Sequence, residues 1–180
     1  NIAKDVAGLL RDGMRIGWFQ RSMEFGARAL GNRSILANPL IPGIKNKVND
    51  IVKFRENWRP FCPSIINDQR AEYMQKDINS PFMIVAHKLK EKYHDQLASV
   101  SHIDGSIRPQ TVTKEQNPLY YDLLSEVRVF TGHGILLNTS FNVRGEPIVC
   151  TPLEAIRCFY GNGLDALALG PYLLKKKKVV

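Results

Sequence analysis

The stretch Ile135-Leu-Leu-Asn-Thr-Ser-Phe-Asn142 constrains the fold more than any other part of the chain. Its apolar start predicts a central strand, and its change to polar residues predicts a strand whose carboxyl end opens into a site. Side chains alternate along a strand, so Asn138, Ser140 and Asn142 are expected on one face, with Thr139 and Phe141 on the other. Three short polar groups in a row can line the wall of a binding site. They can equally be the polar end of a strand running into the Arg144-Gly145-Glu146-Pro147 turn.

The flanking patterns alternate between helix and strand. Ile2, Val6, Leu9 and Leu10 fall at helical spacing and predict a helix that stops at Gly13. Met14, Ile16 and Trp18 alternate with Arg15 and Gly17, which predicts a half-buried strand to about Gln20. Glu24 to Ser34, rich in Gly and Arg, reads as a loop around a short turn of helix. Ile44, Val48, Ile51 and Val52 mark a helix face. It should end before Arg59-Pro60 and Cys62-Pro63, because a residue preceding proline is pushed toward extended geometry. Phe61–Ile66, Phe82–Ala86 and Ile107–Val112 read as extended, Lys88–Gln96 as a solvated helix or loop, and Leu119–Phe130 as helix. Thr151-Pro152-Leu153-Glu154 predicts a helix start with a capping box, the helix running to about Tyr160, and Ala166–Leu169 a last strand.

With 180 residues, 44% hydrophobic and 23% charged, the chain supports one well-buried domain. It opens at Asn1 with no charged leader and is expected to be a piece of something longer. Charges, Gly or Pro interrupt every apolar run before the roughly 18 to 20 residues a bilayer span needs, so a soluble, cytoplasmic protein is expected. Cys62, Cys150 and Cys158 form no paired spacing and are expected as free thiols. The four histidines are dispersed, so no protein-held metal is expected, and there is neither a Walker A sequence nor a G-x-G-x-x-G.

Half of the +8 charge belongs to Lys175–Lys178, expected as part of a flexible basic tail over 175–180, after a domain covering 1–174. The rest is concentrated between Arg21 and Arg59. Arg28, Lys53, Arg55, Arg59 and Arg108 are candidates for holding an anion, because guanidinium forks and the lysine point charge suit phosphate. Lys53-Phe54-Arg55, if extended, turns both cations to one face and buries Phe54 on the other; otherwise it is a solvated basic helix end. His102-Ile103-Asp104-Gly105 reads as a turn before the next strand rather than an acid or base. A non-catalytic module binding RNA or another polyanion is the alternative, disfavoured because aromatic residues do not interleave with the basic ones as a stacking platform requires.

GWFQRSMEFGARALGNRSIL, KVNDIVKFRENWRPFCPSI, SHIDGSIRPQTV and GILLNTSFNVRGEPIVCTPLEAI together resemble the carboxyl-terminal half of the O-carbamoyltransferases of antibiotic and nodulation-factor biosynthesis, from about Met14 to Leu174. The resemblance implies an α/β (α+β) domain similar to YrdC/Sua5, a twisted open mixed sheet flanked by helices, following a Kae1-like amino-terminal domain. It implies a domain that takes carbamoyl phosphate and ATP and forms carbamoyl-adenylate, the partner domain then passing the carbamoyl group to a hydroxyl. Magnesium is expected mainly on the ATP phosphates. On this resemblance Arg28, Arg59, Arg108 and Asn138 bind carbamoyl phosphate, and Lys53, Arg55, Ser140 and Asn142 bind the nucleotide. Lys53, Arg59 and Arg108 serve the reaction itself. Arg21-Ser22 stands where the family tends to have Gly-Arg, and Ala27 where proline before the arginine is usual. A threonylcarbamoyl-adenylate synthase for tRNA modification would share the KxR and SxN pairs and is the nearest rival.

Overall fold

The computed structural model describes residues 1–176. In chain order its helices are α1 (Ile2–Arg11), α2 (Ile44–Val48), continued by a π turn over Asn49–Lys53, α3 (Arg70–Tyr73), α4 (Pro118–Thr131) and α5 (Pro152–Tyr160). The strands are β1 (Ile16–Phe19), β2 (Arg33–Ala37), β3 (Cys62–Ile66), β4 (His87–Lys88), β5 (Ser106–Ile107), β6 (Gln110–Val112), β7 (Ile135–Ser140), β8 (Ala166–Leu169) and β9 (Tyr172–Lys175). Seven strands form one mixed sheet in the order β6-β3-β7-β2-β1-β8-β9, and β4 pairs with β5 separately. As the apolar run predicts, β7 is interior, antiparallel to both β3 and β2, with Asn138 level with Cys62 on one side and Leu36 on the other.

Both faces of the sheet are covered. Ile16, Trp18, Leu36 and Leu136 pack with Val6 and Leu10 of α1 and Leu123 and Leu124 of α4, whereas Ile35, Ala37, Ile135 and Leu137 pack with Val48, Phe159 and the segment carrying Tyr73 and Leu97. Double coverage is why β1, read as half-buried, is buried along its whole length. Gly17 in that strand lets Phe141 cross it closely: a Cβ there would sit 2.8 Å from the Phe141 ring.

Capping fixes the helices where the sequence places them. Asn1 Oδ1 accepts from the Ala3 amide at 3.1 Å. Thr151 Oγ1 accepts from the Glu154 amide at 3.3 Å, while Glu154 accepts from the Thr151 amide at 2.9 Å, completing the expected capping box. Asn117 caps α4, which ends at Gly132 in the left-handed region.

Several local expectations change. β2 emerges from the end of the stretch read as loop, because Arg33 is buried there with both terminal guanidinium nitrogens hydrogen-bonded. Its guanidinium lies 3.5 Å over the Phe19 ring and donates to the carbonyls of Gln20 at 2.7 Å and Arg21 at 3.1 Å. No helical turn precedes it; instead one oxygen of Glu24 accepts from the amides of Leu30, Asn32 and Arg33, closing the loop into a ring. Phe82–Ala86 is not a strand, because Met83 has φ of 56° and breaks the extended path. Ile107–Val112 splits into β5 and β6 at Pro109, which has no N–H for a ladder. At the carboxyl end β9 takes in Lys175, and the Lys176 ammonium donates to the Asn162 carbonyl. The rest of the lysine run lies outside the described residues.

Candidate functional site

The end of β7 meets the π turn after α2. The wide turn and the left-handed Phe54 (φ 49°) send the Lys53 side chain inward and Phe54 outward. Lys53 is 6% exposed and Phe54 50%. The extended Lys-Phe-Arg geometry is therefore corrected: Phe54 is not the buried residue, and Lys53 is. Asn49 holds the turn, its carbonyl accepting from the Arg55 amide at 3.1 Å and its Oδ1 from Arg55 Nε at 2.7 Å. The Arg55 guanidinium then stacks 4.5 Å over the Phe61 ring.

Lys53 Nζ donates into a cage of four oxygens at the strand end: the Ser140 carbonyl at 2.6 Å, Ser140 Oγ at 3.3 Å, the Asn142 carbonyl at 3.0 Å and Asn142 Oδ1 at 2.7 Å. Burial, and then the neighbouring Arg55 charge, push the Lys53 ammonium down to about 7. Burial and the adjacent Arg59 also lower Arg55.

Two cavities open beside this cage. The outer one, about 290 Å³, is lined by Lys53, Arg55, Arg59, Ser140, Asn142 and Arg144, with Glu56 the single acidic group on its wall. The inner one, about 150 Å³, is lined by Arg28, Arg55, Cys62, Met83, Arg108 and Asn138. They share Arg55, Thr139 and Ser140 and so form one trough. All eight sequence candidates line it, but they divide: Asn138 lines the inner cavity, Asn142 the outer one, and Ser140 between them lines both. With one carboxylate against so many cations, the trough suits a polyanion.

Arg108 donates to Cys62 Sγ at 3.4 and 3.2 Å, and sulfur is a weak acceptor. Asn138 Nδ2 donates to the Ala29 carbonyl at 3.1 Å, Ser64 Oγ at 2.9 Å and Gln110 Oε1 at 3.3 Å, and Gln110 Nε2 donates to the Leu30 carbonyl at 2.8 Å. This network ties β3, β6 and β7 to the loop that carries Arg28. Ser64, Gln110 and Arg144 were not legible as site residues; Arg144 was read only as part of a turn, and its guanidinium donates to the Phe54 carbonyl at 3.3 Å.

Asp104 accepts from the Ser106 amide at 3.0 Å and Ser106 Oγ at 2.6 Å, so the turn reading holds and these bonds keep its carboxyl well below the usual range. Arg21 does not line either cavity. Among the described residues no group of His, Cys, Asp and Glu is placed to hold a metal ion, and no helix is long and apolar enough to cross a membrane.

The sheet order and its helices define a class, the Sua5-like α/β domain. Sua5 of P. abyssi, solved in complex with L-threonine, superposes with a TM-score of 0.66 over 93% of this chain and 46% of that one, at 14% identity, a likeness of fold alone. The chain itself belongs to the family described as carbamoyltransferase C-terminus, whose model matches residues 7–176. The nodulation protein NolO of Bradyrhizobium diazoefficiens is 41% identical over 98% of the chain and 33% of its own length. The 3'-hydroxymethylcephem-O-carbamoyltransferase of Amycolatopsis lactamdurans is 32% identical over 92% of the chain and 31% of its own length. The chain thus spans about a third of the length of these relatives.

Proposed function

We propose that this chain is the adenylate-forming domain of an O-carbamoyltransferase, making carbamoyl-adenylate from carbamoyl phosphate and ATP. The observation that carries the reading is the trough itself: two cationic cavities of unequal size that meet at Arg55 and Ser140. The outer cavity suits the ATP phosphates, held by Lys53, Arg55, Ser140 and Asn142 with Arg144 beside them. The inner cavity suits carbamoyl phosphate, held by Arg28 and Arg108, with Arg59 at the outer mouth. Water takes the phosphoryl group of carbamoyl phosphate, leaving carbamate. A carbamate oxygen then bonds to the α-phosphorus of ATP as the bond to pyrophosphate breaks.

Both substrates are anionic, so the main barrier the residues address is repulsion between them, and fixed cations stabilise charge on the departing pyrophosphate. Lys53 is poised for this, since an anionic ligand offsets the burial that lowers its proton affinity. Magnesium bound on the ATP oxygens would add positive charge to the same phosphates. Transfer to a hydroxyl acceptor then belongs to a further, Kae1-like amino-terminal domain.

The test is carbamoyl-phosphate-dependent exchange of pyrophosphate into ATP. Lys53→Ala and Arg59→Ala are expected to lose most of it, and near-normal exchange in either would count against the assignment. The Sua5-like fold keeps a threonylcarbamoyl-adenylate synthase as second reading; exchange that requires threonine and bicarbonate, and ignores carbamoyl phosphate, would select it. RNA affinity that falls steeply with salt, without ATP binding, would select the polyanion-binding module.

A further inference from the structure

Between Glu24 and β2 the chain forms neither helix nor strand, yet the base of this loop is bonded atom by atom. Glu24 Oε1 accepts from the amides of Leu30 at 2.6 Å, Asn32 at 2.8 Å and Arg33 at 3.2 Å. The remaining amide of the run, Gly31, donates to Ser34 Oγ at 3.1 Å. Side chains of the sheet take the carbonyls: Asn138 Nδ2 donates to Ala29, Gln110 Nε2 to Leu30 and Trp18 Nε1 to Gly31. Gly31, at a φ of 103°, supplies the bend that lets amides on either side of it meet one carboxylate oxygen. Phe25 to Arg28 are left as the exposed tip, and Arg28 reaches the inner cavity from there.

Glu24 itself lines neither cavity, and its bonded oxygen is fully occupied by the three amides. The amide dipoles offset a negative charge that would otherwise oppose an anion in the trough. A guanidinium binds phosphate through directed, paired hydrogen bonds, so its grip depends on where the backbone beneath it stands. We propose that Glu24 is a positioning residue for the inner cavity, its one bonded oxygen setting the loop so that the Arg28 guanidinium meets the phosphate of carbamoyl phosphate. This rests on the adenylate-forming reading, in which Arg28 holds that substrate, and adds the residue that acts through it. Among the described residues Glu24 Oε2 makes no hydrogen bond, so reach, more than charge, is what the loop uses. Glutamine can put a carbonyl oxygen in the place of Oε1. Aspartate keeps the charge but is one methylene too short to meet all three amides.

The experiment titrates carbamoyl phosphate and, separately, a non-hydrolysable ATP analogue into the full chain, followed by 31P resonance. It compares wild type, Glu24→Gln and Glu24→Asp, each with and without Arg28→Ala. Arg108 remains in every variant, so carbamoyl phosphate binding is weakened rather than lost. Glu24→Asp is expected to weaken carbamoyl phosphate about 10-fold, and Glu24→Gln less than about threefold, with the ATP analogue within about twofold in both. In the Arg28→Ala background Glu24→Asp should add less than about twofold, because the group through which Glu24 acts is already gone. As a second measurement, the indole N–H resonance of Trp18, bonded to the Gly31 carbonyl at 2.8 Å, should move in Glu24→Asp and stay in Glu24→Gln, with exposed Trp58 as the internal reference. Losses that add fully to that of Arg28→Ala, an equal loss of the ATP analogue, aspartate binding as well as glutamine, or an unmoved Trp18 signal in Glu24→Asp would overturn the positioning role and leave the adenylate reading intact. Failure of wild type to bind carbamoyl phosphate or to exchange pyrophosphate would overturn that reading and this inference with it.

Discussion

Replacing Lys53 by Met separates the cost of a buried charge from the worth of its hydrogen bonds. Lys53 has an ordinary value of 10.5 and is pushed down to about 7 in the fold. A lysine whose folded value lies below its unfolded one burdens the folded state while charged. The burden is full below pH 7 and fades as pH rises toward 10.5. At about 1.4 kcal/mol per pH unit it amounts to at most about 5 kcal/mol, and between pH 7 and pH 9 it shrinks by about 2 kcal/mol.

Methionine has the length of the lysine stem and no charge, so it removes this dependence. It also leaves the Ser140 and Asn142 carbonyls without their donor, at roughly 1–3 kcal/mol each. Ser140 Oγ and Asn142 Oδ1 still pair with each other at 2.7 Å. The two effects nearly cancel at pH 7, so the variant should fold, and by pH 9 it should be the less stable protein. Urea unfolding of both proteins from pH 6 to pH 9.5 reads this directly as a difference in which other titrating groups drop out. A wild-type advantage that grows by about 2 kcal/mol from pH 7 to pH 9 supports the argument. A flat difference would show that the four oxygens hold the ammonium at its ordinary value and that burial does not govern it.

Arg108→Gln should weaken carbamoyl phosphate binding about 10-fold or more while leaving ATP affinity within twofold, since Arg108 lines only the inner cavity; equal loss of both, by calorimetry, would contradict the division of the trough. Gly31→Ala should lower stability by about 2 to 4 kcal/mol, because its Cβ would fall 2.2 Å from the Tyr120 ring at a φ of 103°, and a thermal melt measures it. Thr151→Ala should cost about 1 kcal/mol through loss of the α5 cap, with substrate binding unchanged.

What is legible in the sequence depends on the range of the interaction concerned. The capping box at Thr151 and the central position of β7 were legible because neighbouring residues determine them. The motif order also placed every cation later found in the trough except Arg144. What could not be read was set by partners far along the chain. Arg33 becomes a strand residue only because the carbonyls of Gln20 and Arg21 and the Phe19 ring receive its guanidinium. Period-two alternation put Asn138 with Ser140 and Asn142, yet the strand ends at Ser140. The chain beyond it bends toward Lys53, while Asn138 is held by Ser64 and Gln110. Phe54 faces outward because of one left-handed residue at the end of a π turn, a conformation that its own identity does not announce.

The pairing of β1 with β8, which sets Ile16 beside Ala166, also bears on how the molecule reaches its native state. A sheet closed by segments from opposite ends of the chain must meet its loop-closure entropy before those contacts reward it, so acquisition of the native state is expected to be slow. Arg28, Lys53, Arg108 and Ser140 come from four separate stretches that only the finished sheet brings together. Substrate binding regained during refolding would then lag behind helix formation, and it would report the last long-range pairing to form.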